Sequence, residues 1–122
     1  MAELETSIGF SGVVVDERHV SRVVQRTPKD IVGTGDTELV PAQGAGVRVR
    51  LLAMVVRTAL ATNLRLKSAG NNLSALLALG INDEAVWPYM QHGWLQTEPN
   101  EALNMNATVA TGGVQLVWIQ AQ

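Results

Sequence analysis

Cysteine is absent from this chain of 122 residues, and aromatic residues make up only 4% of it. The absence of cysteine excludes disulfide bonds, thiolate metal ligands and cysteine nucleophiles. The scarcity of aromatic residues means that a core has to be built from Val, Leu, Ala and Met. One domain fits this length, and a composition of 47% hydrophobic and 16% charged residues is apolar enough to fold.

Long hydrophobic runs are also missing. The longest run covers residues 51–56, which is far too short to cross a bilayer. Residues 1–5 carry acids where a signal peptide needs bases, and no apolar segment follows them. We therefore expect synthesis in the cytoplasm and no membrane partner. The net charge of −2 predicts no general affinity for nucleic acid.

The residues that commonly carry catalysis form no recognisable set. His19 and His92 are far apart, and neither has a second ligand at metal spacing. The glycine pairs at 33–35 and 44–46 lack the spacing and the lysine of a phosphate-binding loop, which indicates turns. We expect no enzyme activity, no catalytic residues, no metal site and no cofactor.

From Thr37 onward, short apolar segments alternate with turn residues about ten residues apart, which is typical of a β-sandwich or barrel. Residues 47–51 alternate strictly, with the apolar side chains on one face and both arginines on the other. Residues 63–67 repeat this pattern, and residues 115–120 predict a more fully buried strand with Trp118 in the core. Residues 37–40 predict a further short strand.

Residues 51–61 and 73–79 are compatible with either a helix or a strand. Val49, Val55 and Val56 favour a strand, because β-branched side chains lose rotamer freedom in a helix. Strict alternation would place Arg57 on the same face as Val47. We therefore expect either a β-bulge or a position for Arg57 beyond the end of the sheet.

The first 35 residues have a weaker pattern than the rest of the chain. They contain a β-branched segment, Val13, Val14 and Val15, and turn signals at 27–30 and 33–35. We interpret residues 1–35 as an extended N-terminal arm and residues 36–122 as the β-sandwich domain. An edge hairpin of the same domain fits residues 1–35 equally well.

Charge is distributed unevenly, since residues 47–68 contain five bases and no acid, and residues 69–122 contain four acids and no base. This pattern predicts either ion pairs between neighbouring strands or a polarised surface that docks on a partner. If the two alternating strands are adjacent, four bases share one side and need acids such as Glu98 or Glu101 nearby. These bases are Arg48, Arg50, Arg65 and Lys67.

Trp87 and Trp94 fall in a segment that reads as a loop and the strand after it. Aromatic residues in such places either anchor loops to the core or act as interface hot spots. Together with Tyr89 they would also suit the stacking platform of a carbohydrate-binding module.

Several short segments between Thr37 and Gln120 resemble small virion structural proteins of tailed bacteriophages and prophages, several of which are capsid decoration (cement) proteins. The segments are ELVPA at 38–42, GVRVRLL at 46–52, NLRLKS at 63–68, PY at 88–89, GW at 93–94, NEALNMN at 100–106 and GVQLVWI at 113–119.

This resemblance implies a jelly-roll-like antiparallel β-sandwich that forms a homotrimer on the exterior of the virion capsid. Its partners would be the major capsid protein and further copies of itself. We predict partner contacts through Phe10, Val13, Val14, Val15, Arg48, Arg50, Arg65, Lys67, Trp87 and Trp94. A tail, baseplate or head-fibre component is the nearest alternative, and a carbohydrate-binding module is an alternative from a different class.

Overall fold

The computed structural model describes residues 13–15 and 21–122. Over these residues the chain is all β, without a helix, and two antiparallel five-stranded sheets pack against each other. A separate hairpin is formed by β1 (Val13–Val15) and β2 (Ser21–Val23). The predicted all-β antiparallel sandwich is confirmed.

Each sheet combines two central strands with shorter strands at its edges. The first sheet contains β3 (Gln25–Asp30), β5 (Arg48–Arg57), β9 (Glu84–Trp87), β10 (Leu95–Gln96) and β12 (Gly113–Ala121). The second contains β4 (Gly35–Val40), β6 (Thr62–Ser68), β7 (Asn71–Asn72), β8 (Leu77–Leu79) and β11 (Leu103–Ala107). The centres are β5 with β12 and β6 with β11. From β3 to β12 the chain changes sheet six times, at β3/β4, β4/β5, β5/β6, β8/β9, β10/β11 and β11/β12.

The main core lies between the sheets and is almost entirely aliphatic. Along β6, Leu64 and Leu66 are fully buried, while Arg65 between them points away from the core, as the alternation of residues 63–67 predicts. Trp118 is the aromatic residue buried in this core, and its indole Nε1 donates a hydrogen bond to Thr27 Oγ1 at 2.9 Å. Both the aliphatic core and the buried position of Trp118 are confirmed.

Of the two expected explanations for the position of Arg57, the structure shows the β-bulge, which lies in β5. Val117 of β12 pairs with Ala53, whereas Trp118 pairs with Leu51, so Leu52 has no partner on β12. After this extra residue the alternation resumes one position later, and Arg57 lies on the outer face of the sheet. Residues 48–57 form one continuous strand, which confirms strand over helix there, while residues 58–61 form a loop. Of the other ambiguous range, residues 73–79, only Leu77–Leu79 is a strand and no helix forms.

A second hydrophobic cluster lies on the outer face of the first sheet. It contains Val24, Leu52, Ala53, Val117 and Ile119, and Tyr89 packs against it. The hairpin strand β2 also contacts β12 of this sheet. Because the middle of the first sheet is covered on both faces, its strands read as nearly continuous apolar runs instead of alternating ones.

Candidate interaction surfaces

Four loops come together at one end of the sandwich, which we call the loop end. They are residues 31–34, 58–61, 80–83 and 108–112. The Ile31 amide donates a hydrogen bond to the Gly112 carbonyl at 3.0 Å, and the Asn82 amide donates to the Ala59 carbonyl at 3.3 Å. Backbone hydrogen bonds therefore connect the loops to one another.

Buried threonine hydroxyls complete the connections at the loop end. Thr111 Oγ1 accepts hydrogen bonds from the amides of Ala59 and Leu60, both at 3.0 Å. The Thr58 hydroxyl donates to a carbonyl of the 80–83 loop at 3.0 Å, and the Thr62 hydroxyl donates to one of the 108–112 loop at 3.1 Å. Polar groups that would otherwise need water are satisfied inside the protein.

The outward side of the loop end is apolar. Three of its loops expose a large aliphatic side chain, and the exposed fractions are 83% for Val32, 53% for Leu60 and 71% for Ile81. We call these three side chains the apolar tips. Asp83 is the sole charged residue in the four loops. The four loops therefore carry little charge themselves, and the exposed Arg57–Glu84 ion pair borders them beside Thr58 and Asn82.

The one charge of the loop end is used within its own loop. The Asp83 carboxylate accepts hydrogen bonds from the amides of Gly80 and Glu84, at 2.9 and 2.8 Å. These two bonds, Gly80 first, favour the ionised form and lower the pKa of Asp83 below its usual value. Asp83 therefore caps the 80–83 turn.

The four predicted contact bases do not lie together. Arg48 and Arg50 are on β5 in the first sheet, and Arg65 and Lys67 are on β6 in the second. The possibility that these strands are adjacent is wrong, because the chain changes sheet between them. Mutual repulsion of four bases on one side therefore does not arise.

Each base of the first sheet has a local polar contact. Arg48 Nη1 lies 3.9 Å from Glu98 Oε1 and donates to the Thr97 carbonyl at 3.2 Å. The buried Arg50 side chain donates from Nε and Nη2 to Gln96 Oε1, at 3.1 and 3.0 Å. The prediction that Glu98 approaches one of these bases is confirmed.

The bases of the second sheet differ in their contacts. Lys67 Nζ lies 3.5 Å from Asp36 Oδ2 on the outer face of this sheet. Arg65 Nε is buried there without a hydrogen-bond partner. Glu101, the other predicted acid, accepts a hydrogen bond from the Ser68 hydroxyl at 2.6 Å. The two outer faces therefore carry separate pairs of bases.

Trp87 and Trp94 are neighbours with different roles. Trp87 is half-buried and packs against the main core, which agrees with a core anchor. Trp94 is exposed, its Nε1 donates to the Pro88 carbonyl at 2.8 Å, and its ring centroid is 5.7 Å from that of Trp87. Tyr89 packs against the second cluster instead. The three rings therefore do not form one flat platform.

A shallow cleft of about 440 Å³ opens beside Trp94. Arg50, His92 and Gln96 line it together with the tryptophan. A second groove of about 360 Å³ lies on the outer face of the first sheet, where Pro28, Val55 and Gln115 line it.

The predicted contacts near the N-terminus are only partly described. Val13, Val14 and Val15 form β1, where Val13 pairs with Val23 of β2. Phe10 lies outside the described residues. Further along the chain, Gln25–Asp30 is an edge strand that pairs with β12. Part of the range assigned to the arm is therefore integrated into the first sheet.

The apolar tips were not among the predicted contacts. A signal was present, because Val32, Leu60 and Ile81 are large apolar residues within or beside turn segments rich in Gly, Thr, Asn and Ala. What the sequence did not reveal is that turns so far apart along the chain meet at one end of the sandwich.

Comparisons with protein-family models, with curated proteins and with solved structures found no match. Among the described residues, no group of three or more His, Asp or Glu side chains is placed to hold a metal ion. A search of the same residues found no helix with the length and hydropathy to span a membrane.

Proposed function

We propose that this chain is a capsid decoration protein of a tailed bacteriophage. In this proposal several copies assemble on the outside of the head and stabilise the shell. The observation that carries the proposal is the loop end, where Val32, Leu60 and Ile81 are exposed on a surface whose one charge is bound within its own loop. Such an apolar surface is typical of contacts with other protein molecules.

The sandwich itself also supports a structural role. Two antiparallel sheets bury an aliphatic core, and ion pairs join Arg57 with Glu84 and Lys67 with Asp36 on their outer faces. A domain of this size has limited stability alone, and association buries additional surface. Closed assemblies also cover exposed strand edges.

The finer features of the proposal are a jelly-roll-like sandwich and an N-terminal arm that grips the major capsid protein. The hairpin of β1 and β2 supports the arm, because β2 contacts β12, a strand that also lines the groove beside Pro28 and Val55. Phe10 and the valines of β1 are the expected arm contacts. The four bases remain expected contacts, as one pair on the outer face of each sheet.

Co-sedimentation with undecorated capsids tests this proposal. We expect the purified chain to pellet with the shells at saturating copy numbers in the hundreds. A variant that lacks residues 1–12, and so keeps β1, is expected to bind more weakly while its circular dichroism spectrum is unchanged. A folded full-length chain that never pellets with shells would contradict the proposal.

Two other functions remain as alternatives with distinct readouts. A tail, baseplate or head-fibre component would be present in a handful of copies per particle, which quantitative mass spectrometry of virions measures. A carbohydrate-binding module is favoured by one observation, the exposed Trp94 beside the cleft that Arg50 and Gln96 line. Sugar binding by the isolated chain that is lost in Trp94→Ala would support that alternative.

A further inference from the structure

We infer that the loop end is the interface between copies of this chain, where a second copy packs its own loop end against the apolar tips. The inference rests on the proposed structural function and adds the surface through which the oligomer forms.

The apolar tips belong to one hydrogen-bonded framework. The Leu60 amide donates a hydrogen bond to Thr111, and the Asn82 amide, next to Ile81, donates to the Ala59 carbonyl. The Ile31 amide, next to Val32, donates to the Gly112 carbonyl in the same loop as Thr111. Because the backbone is held in this way, a partner meets a preformed surface and little ordering entropy is lost on binding.

The partner surface has to be uncharged. Desolvating an unpaired charge against aliphatic side chains is strongly unfavourable, because nothing replaces its hydration. The apolar tips of a second loop end meet this requirement, with the exposed Asp83 carboxylate left in contact with water at the rim, where it is bound by two amides of its own turn.

The other described faces carry more charge than the loop end. The outer face of the second sheet carries Asp36, Arg65 and Lys67, and that of the first sheet carries the Arg57–Glu84 pair, which borders the loop end. The end opposite the loop end carries Arg48, Glu98 and Glu101. Among the described surfaces, the loop end is therefore best matched by the loop end of another copy, related by a rotation axis.

The apolar character of the tips also favours a contact between copies of this chain. Interfaces of permanent homo-oligomers are more apolar than those between partners that also exist apart. The accessible surface of the chain is 6111 Å², and a stable interface needs about 800 Å² per partner, which is roughly one-eighth of it. The flanks of the four loops therefore have to be covered together with the tips.

The test is the double variant Leu60→Lys with Ile81→Lys, measured by size-exclusion chromatography with light scattering over a concentration series. We expect wild type to be an oligomer of the 13.1 kDa chain and the variant to be a monomer. Both positions are exposed, so thermal unfolding should show that the variant remains folded.

The matched control is Leu76→Lys with Val86→Lys. These two residues are each 51% exposed but lie on other faces, beside β8 and on β9. The control adds the same charge and should keep the oligomer intact. A monomeric wild type, an oligomeric Leu60/Ile81 variant, or a control that dissociates would each overturn the inference.

Pelleting the same variants with undecorated capsids separates this inference from the proposed function. A monomeric Leu60/Ile81 variant that still binds shells supports both, since the shell contact then lies elsewhere. An oligomer that the two lysines dissociate, with no form that pellets, supports the interface and contradicts the decoration function. A monomeric wild type whose shell binding is lost in the variant makes the loop end a shell contact and overturns the inference.

Discussion

At both ends of the sandwich, side-chain hydroxyls satisfy backbone amides, but the outer surfaces of the two ends differ. At the loop end, threonine hydroxyls bind the loop backbone, and aliphatic side chains face outward. At the opposite end, the buried hydroxyls of Ser68 and Thr97 bind the backbone amides of Glu98 and Val49, and charged side chains face outward. Since a polar exterior suffices at one end, the apolar exterior of the other is not required for folding. It is available for association.

The largest expected effect comes from breaking the close packing at the loop end with Gly112→Ala. Gly112 has φ +75°, and an added Cβ would overlap the carbonyl of Arg57. Because the obstacle is backbone, we expect a loss of about 3 kcal/mol or more in the free energy of unfolding.

Gly33→Ala is the control for that substitution. Gly33 belongs to the same loop end, but an added Cβ there meets nothing within 4 Å. Urea denaturation should show that this variant unfolds close to wild type. Similar midpoints for the two alanine variants would contradict the close approach of the 108–112 loop to β5.

A second, smaller effect compares the hydroxyls of the two ends. Thr97→Val removes the acceptor for the fully buried Val49 amide, whose hydrogen bond to Oγ1 is 2.9 Å long. We expect a loss of about 1–3 kcal/mol, the cost of an unsatisfied buried donor.

Thr111→Val should cost less, about 1 kcal/mol, because Ala59 and Leu60 are exposed residues whose amides water reaches when the hydroxyl is gone. Chemical denaturation of both valine variants measures the difference. A larger loss at Thr111 than at Thr97 would show that the loop end depends more on its hydroxyls than the charged end does.

The smallest expected effect is a pH dependence at the loop end. The pKa of Asp83 is lowered in the folded protein by hydrogen bonds from the Gly80 and Glu84 amides. Its contribution to stability is therefore present above the unfolded value of 3.8 and is lost as pH falls through the lower folded pKa.

We expect the thermal midpoint of wild type to exceed that of Asp83→Asn near neutral pH and the two to converge in acid. Differential scanning fluorimetry across pH measures this convergence, with Glu38→Gln as a control on the exposed part of β4. A difference between wild type and Asp83→Asn that grows as pH falls would contradict the assigned hydrogen bonds.

The alternating segments were the most predictable part of the fold. The alternation around Val49 and Arg50, and again around Leu64 and Arg65, correctly separated the core side of each strand from its outer side. The conflict at Arg57 correctly indicated an irregularity in β5, which is the bulge at Leu52. These features depend on the period of two in a strand, which neighbouring residues express by themselves.

The candidate surfaces were much less predictable. Alternation tells which side of a strand is buried, but it does not tell which strand lies beside it, so the pairs Arg48/Arg50 and Arg65/Lys67 could not be assigned to separate sheets. The burial of Leu52 and Ala53 was equally unpredictable from the sequence, because it depends on what covers the outer face of the first sheet.

The sequence by itself determined an all-β domain with an aliphatic core, since composition, alternation and turn residues act over a few positions of the chain. Only the tertiary structure decided which strands share a sheet and which loops meet at one end. Val32, Leu60 and Ile81 are isolated apolar residues along the chain and one surface in space. The physical reason is that long-range strand pairing, which no local pattern encodes, brings their loops together.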